Sequence, residues 1–282
     1  MLKTEMLRGP KNRVMATTLE ATRSREDRGA GTLTKGLALL EAVAAGPQPL
    51  RFTDLLHSQP YPKATLHRLL KTLIEAGMVV YDGDQRSYHP GMRLIRLSHA
   101  AWLRSSLADA ARDALDQLSS EIDETIHLAV LDNAQVLYLD KRMSGQPVTM
   151  FSSPGKVGPA HCTGVGKVML AFLDDDRLEE ALARQSFHRF MPATLVTPNA
   201  LKAELKQIKK DGYGFDREEH EPSIICIAAP ILSDRGGVLG ALSVTSTTYV
   251  NNLDSLAAYA PRLVATAAAI ADEAAVRMLP GT

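Results

Sequence analysis

The stretch from Leu50 to Gly77, LRFTDLLHSQPYPKATLHRLLKTLIEAG, constrains the fold of this chain more than any other. Leu66, Leu69, Leu70, Leu73 and Ile74 recur at i, i+3, i+4, i+7 and i+8, which places them on one face of a helix. Lys63, Thr65, His67, Arg68, Lys71 and Thr72 fall on the other face, and most of these side chains donate hydrogen bonds. Pro62 suits a first helical turn, where its missing N–H is no loss, and Gly77 suits the position after the last turn. Upstream, Phe52, Leu55 and Leu56 mark a shorter helix, and Gln59-Pro60-Tyr61 leave room only for a tight turn. Two helices joined this closely, the second polar on its outer face, predict a helix-turn-helix. Basic outer faces are often merely solvated, so periodicity alone leaves a nucleic-acid partner open.

The segment after the helix pair narrows the choice. Met78-Val79-Val80-Tyr81 and Arg86-Ser87-Tyr88 are strand-like runs around the turn-rich Asp82-Gly83-Asp84-Gln85. A helix-turn-helix joined directly to a hairpin is the winged form, and its tip can lay Gln85 and Arg86 against a phosphate backbone. Charge agrees in position. The net charge is zero, yet residues 1–105 hold 16 Lys+Arg against 9 Asp+Glu, whereas residues 106–282 hold 16 against 23. A basic amino half joined to an acidic carboxyl half fits a nucleic-acid module fused to something else.

At 282 residues the chain is long enough for two domains. Residues 1–29 are polar and basic and read as a flexible arm, either a groove-reading tail or a plain unstructured terminus. Residues 30–91 form the winged helix-turn-helix, opening with a helix from Thr32 on Leu33, Leu37, Leu39, Leu40 and Val43 that ends at Gly46-Pro47. Residues 92–105 form a linker helix. It carries the single tryptophan, Trp102, which suits an interface or a core equally well. Residues 106–282 form the second domain. Helices are expected over Ala108–Ile122, Gly164–Leu173, Asp174–Gln185, Thr197–Gly212 and, as one long closing helix, Leu253–Met278. Strands are expected over Ile126–Leu131, Gln135–Lys141, Pro147–Phe151, Ile224–Leu232 and Val238–Thr247. Hairpins with helices between them predict an α+β domain on an antiparallel sheet.

Several classes are disfavoured. No run of about 18 uncharged apolar residues spans a bilayer, so no membrane partner is expected. The opening MLKTEMLRGPK lacks an apolar core, which predicts no secretory signal, and two cysteines suit reduced thiols in a cytoplasmic protein. GxGxxG is absent, and TGVGK misses the P-loop pattern because Val168 follows the lysine. His161, Cys162, Asp216 and Cys226 show no CxxC or HxxxH spacing, so neither metal nor other cofactor is expected. Cys226 with His161 or His220 lacks any nucleophile-elbow signature, so no enzymatic activity is expected.

Four stretches carry a family resemblance. PKATLHRLLKTLIEAGMV, TIHLAVLDNAQVLYLDK, HCTGVGKVMLAFL and GYGFDREEHEPSIICIAAPI, the last followed by GALSVTS, resemble in order and spacing the isocitrate lyase regulator (IclR) family of bacterial transcription factors. The resemblance covers most of the chain from Thr32. It implies a winged helix-turn-helix, a linker helix and a GAF-like effector-binding domain. It implies a homodimer or homotetramer on double-stranded operator DNA, responsive to a small-molecule effector that is often an organic acid. Arg51 stands where a small capping residue is usual, Gln59-Pro60 replace Leu-Gly at the turn, and isoleucine precedes Cys226 where a smaller or basic residue is common.

On this resemblance the DNA-binding set is Lys63, Thr65, His67, Arg68, Lys71, Gln85 and Arg86. Asp216, Cys226, Ser243 and Thr245 match the family's pocket positions. Ser243 and Thr245 lie two apart on a strand and so face the same side. The N–H groups of Gly164 and Val165 open a helix and offer its positive end to a carboxylate. The expected protein is a repressor of a catabolic operon that answers to a carboxylic or sugar acid. Two rivals stand beside it: a small-molecule enzyme with an amino-terminal dimerisation module, and a sensor that signals only through protein contacts.

Overall fold

Leucines at helical spacing build the amino-terminal unit as the pattern demands. In the computed structural model, which describes residues 31–46, 50–102, 106–143, 145 and 150–278, the unit begins with α1 (Thr32–Ala45), β1 (Leu50–Arg51) and α2 (Phe52–Ser58). It continues with α3 (Lys63–Glu75), β2 (Val79–Asp82), β3 (Ser87–Pro90) and α4 (Met92–Trp102). Leu39, Leu55, Leu66, Leu70 and Val79 meet in its core, each about 1.5–3 kcal/mol more favourable buried than exposed. The short β1 was not expected. It adds to the wing, giving a three-stranded antiparallel sheet in the order β1-β3-β2.

Local chemistry fixes both ends of α3. Pro62 is one position earlier than its expected place: extended at ψ 145°, it caps the helix, which starts at Lys63. At the other end Gly77 adopts φ +68°, a region that favours glycine. Gly77 N–H then donates to Ile74 O at 2.8 Å and Met78 N–H to Leu73 O at 2.9 Å, the paired bonds of a Schellman stop. Arg51 is no capping side chain, and Asp54 compensates by accepting from Arg51 N–H at 2.8 Å. In the wing, Asp82 Oδ1 accepts from Asp84 and Gln85 N–H at 2.9 and 3.0 Å, which folds the tip back on itself.

The chain divides into two units at Ala101/Trp102, so the last residue of α4 belongs to the second. The first whole elements of the second are α5 (Ser106–Ala110), α6 (Arg112–Glu121), β4 (Thr125–Asp132), β5 (Gln135–Arg142) and β6 (Val157–Pro159). Then come α7 (Gly164–Ala171), α8 (Asp175–Ala183), α9 (Pro198–Asp211), β7 (Gly214–Arg217), β8 (Ile224–Leu232), β9 (Val238–Thr247), α10 (Leu253–Ala257) and α11 (Ala260–Met278). Its sheet has six antiparallel strands in the order β6-β5-β4-β9-β8-β7. Strand β8 shows why the sheet is covered on both sides. Ile225, Ile227, Ala229 and Ile231 point to a core shared with α5, α6, α10 and α11, while the alternate Ala228 joins a second core under α7, α8 and α9.

Some elements differ from expectation. The closing helix is two, because Pro261 cannot sit deep inside a helix and stands instead in the first turn of α11. Strands β6 and β7 were not foreseen, and the helix expected over Ala108–Ile122 is interrupted at Ala111. Of the strand expected over Pro147–Phe151, residues 147–149 lie outside the described residues, and Phe151 is a bend. The arm of residues 1–29 and the side chain of Trp102 also lie outside them. Among the described residues no helix is long and apolar enough to cross a membrane.

Candidate effector cavity and nucleic-acid face

The α7 side of the sheet holds a row of polar side chains in an otherwise apolar setting. Register makes the row: Asp216 on β7 pairs with Cys226 on β8, which pairs with Thr245 on β9, while His127 on β4 pairs with Ser243. Helix α7 lies close over these strands, buried from Gly164 to Ala171. A Cβ at Gly164 would stand 2.4 Å from Cys226 Sγ and 3.3 Å from Ala228 Cβ, so only glycine permits this approach.

Between α7 and the strands lies a cavity of about 30 Å³. All six residues expected to bind an effector, Gly164, Val165, Asp216, Cys226, Ser243 and Thr245, line it. That is room for a few water molecules at most, so a larger ligand would require side chains to shift. A larger hollow of about 420 Å³ beside Arg112, Asp116, Asp140 and Arg142 lies elsewhere. There Arg142 pairs with Asp116 and Asp140, whereas the smaller cavity gathers buried hydroxyls, a carboxyl and a helix start.

The wall also contains His127, Ser152 and Glu221, which sequence reasoning missed. His127 Nε2 bonds Ser152 Oγ at 2.7 Å, and Nδ1 lies 3.2 Å from Thr245 Oγ1 and 3.3 Å from Ser243 Oγ. Burial, aided by the charge of Lys141, depresses its pKa to about 3, so the ring is neutral. One usable signal for His127 was a polar residue inside the apolar run IHLAVL; Ser152 and Glu221 had none.

Asp216 is 5% exposed and accepts from Glu219 N–H at 2.8 Å through Oδ1. Burial lifts its carboxyl to about 7; the Glu219 N–H opposes this, and the Glu219 carboxylate adds to the rise. Burial, with the Asp216 charge, also pushes the Cys226 thiol up to about 12. Lys167 on α7 is fully buried, pairs with Glu219 and lies 3.5 Å from Glu204 Oε1. Arg217 Nη1 donates to the same Glu204 oxygen at 2.6 Å.

On the amino-terminal unit, Lys63, His67, Arg68 and Lys71 lie exposed along α3, and Thr65 is half-buried. Lys71 lies 3.8 Å from Glu75, and the His67 ring stands 5.2 Å from Phe52. Gln85 and Arg86 are exposed at the wing tip, Arg86 at φ +52°.

A winged helix-turn-helix followed by a helix-covered antiparallel sheet defines a DNA-binding transcriptional regulator. Comparison with known proteins makes this specific. Residues 32–83 match the IclR helix-turn-helix domain, and residues 99–272 match the bacterial transcriptional regulator IclR C-terminal domain. The transcriptional repressor IclR of Escherichia coli (strain K12) is 32% identical over 216 residues, covering 76% of this chain and 79% of that protein. The HTH-type transcriptional regulator XynR of the same organism is 30% identical over 217 residues, covering 77% and 86%. The crystal structure of the Thermotoga maritima IclR superposes with a TM-score of 0.70 at 27% identity, covering 86% of this chain and 98% of that one. The chain belongs to the IclR family of bacterial transcriptional regulators.

Proposed function

We propose that this regulator represses a catabolic operon, and that a small carboxylic or sugar acid in the α7 cavity changes its grip on operator DNA. The observation that carries the reading is the convergence of Gly164, Val165, Asp216, Cys226, Ser243 and Thr245, from four elements, on one buried cavity. The acid's carboxylate meets the N–H groups of Gly164 and Val165 and the Ser243 hydroxyl, while Thr245 and Asp216 meet a hydroxyl or keto group further along. Lys63, Thr65, His67, Arg68 and Lys71 face the major groove, with Gln85 and Arg86 on the adjoining backbone. The protein acts as a homodimer or homotetramer, because paired half-sites need paired helices. Exposed Leu33 and Leu37 on α1 support that assembly, as do exposed Met92 and Ile95 on α4. The effector works by population shift, favouring one arrangement of the assembly over another.

Chemistry argues against a thiol enzyme in this cavity. A Cys226 thiol raised to about 12 and a His127 held neutral down to about 3 supply no activated nucleophile at neutral pH. The test is selection of DNA from the host genome, followed by anisotropy titration of the selected duplex with and without a panel of organic acids. An acid-dependent change in sequence-specific affinity supports the reading. Indifference of DNA binding to every acid, or turnover of one of them, contradicts it.

A further inference from the structure

A carboxylate ligand meets an unusual host in this cavity. Among the described residues the wall carries two carboxyl groups, Asp216 and Glu221, and no lysine or arginine. Lys167 on α7 is committed to Glu219 and Glu204. Lys141 on β5 donates to Ser152 O at 3.1 Å. Both ring nitrogens of His127 are engaged by hydroxyls. An entering anion therefore gains a helix start and hydroxyls, yet it must lie beside a buried carboxyl on the same rung as Cys226 and Thr245. Two carboxylates in so confined a space repel each other unless one carries a proton.

We infer that the cavity takes its acid together with a proton on Asp216, so that the ligand's carboxylate lies near a neutral carboxyl rather than a second anion, and effector binding therefore weakens in alkaline medium. This rests on the acid-effector reading above. The only bond made is the O–H of the Asp216 carboxyl. When Asp216 is ionised in the free protein, one proton comes from solvent for each acid bound, and it returns to solvent when the acid leaves.

The surroundings fix the sign and the window. Glu219 and Glu221 face Asp216 from its own connection and favour its protonated form, while Lys167 from α7 opposes them. Cys226 on β8 and Tyr138 on β5 titrate only well above neutrality because both are buried; so does Cys162, just ahead of α7. His127 on β4 is neutral down to about 3. His220, 3.7 Å from Glu221, is the remaining titratable group on the wall among the described residues. With Asp216 at about 7 in the free protein, a second carboxylate beside it raises that value further. Affinity is then level below about pH 7 and falls up to about tenfold per pH unit above it, as proton uptake approaches one.

The experiment uses the full-length protein and a panel of straight-chain, hydroxy, keto, aromatic and sugar-derived monocarboxylates, ranked by thermal shift at pH 6. Binders are titrated calorimetrically from pH 5.5 to 9 in buffers of different ionisation enthalpy, which counts protons. Uptake should rise from near none at pH 5.5 towards one at pH 8.5. Asp216→Asn, which stays neutral, should bind with no slope and at pH 8.5 exceed the wild type by about tenfold or more. His220→Gln should keep the slope. Acid binding with no proton uptake at any pH overturns this inference alone, as does Asp216→Asn following the wild-type slope. Failure of every monocarboxylate to bind at any pH overturns the acid-effector reading as well.

Discussion

Gly164 and Cys226 illustrate how little freedom single residues have at this site. Gly164→Ala drives a Cβ to 2.4 Å from Cys226 Sγ, and such overpacking costs about 1–3 kcal/mol. In Gly164→Ala/Cys226→Ala the sulfur is gone, so urea unfolding should return part of that loss; strictly additive losses would show that the two residues do not meet. Asp216 yields a prediction about stability. Its pKa is raised from 3.8 unfolded to about 7 folded, so its contribution is full below about 3.8 and is lost as pH rises through 7. Asp216→Asn should therefore gain melting temperature relative to wild type between pH 5 and pH 8; a constant difference would contradict the shift. That Cys226, Ser243 and Thr245 share one cavity wall was legible from family spacing and strand parity. His127 was not, because its place depends on pairing with Ser243, 116 residues away, and local sequence does not encode that register.

At the scale of elements, composition and tertiary pairing divide the work. Helix α3 was legible because its leucine spacing, its donor face and its Gly77 stop all agree. Strands β6 and β7, three and four residues long, lack any strand pattern of their own and exist because β5 and β8 offer them edges. The break before α11 was legible in principle from Pro261, but the alanine-rich run around it masked the signal. Helix α7 is tied to the β7–β8 connection by the buried Lys167–Glu219 pair. Lys167→Met leaves the Glu219 carboxylate buried without its cation, a loss of about 3–5 kcal/mol. Denaturant titration of Lys167→Met and of Lys167→Met/Glu219→Gln separates the causes. The double variant should recover much of the loss, and failure to do so would mean that lysine packing, not charge, was removed.

For the whole molecule, a basic amino-terminal half and an acidic carboxyl-terminal half assign nucleic acid to the first and leave the second to other ligands. Arg68 lies exposed on α3, in the basic part. As a bidentate base contact, its loss in Arg68→Ala costs about 1–3 kcal/mol and relaxes preference at one base pair. As a phosphate contact, its loss weakens all sequences alike and flattens the salt dependence. Wild-type affinity in a folded Arg68→Ala would remove α3 from the interface. One measurement joins both halves. Anisotropy of a selected operator duplex is followed against acid concentration for the wild type and for Cys226→Leu, which fills the cavity. Expected are equal DNA affinity without acid, an acid-dependent change in the wild type, and none in Cys226→Leu. A Cys226→Leu protein that answers the acid as the wild type does would place the effector elsewhere and contradict it.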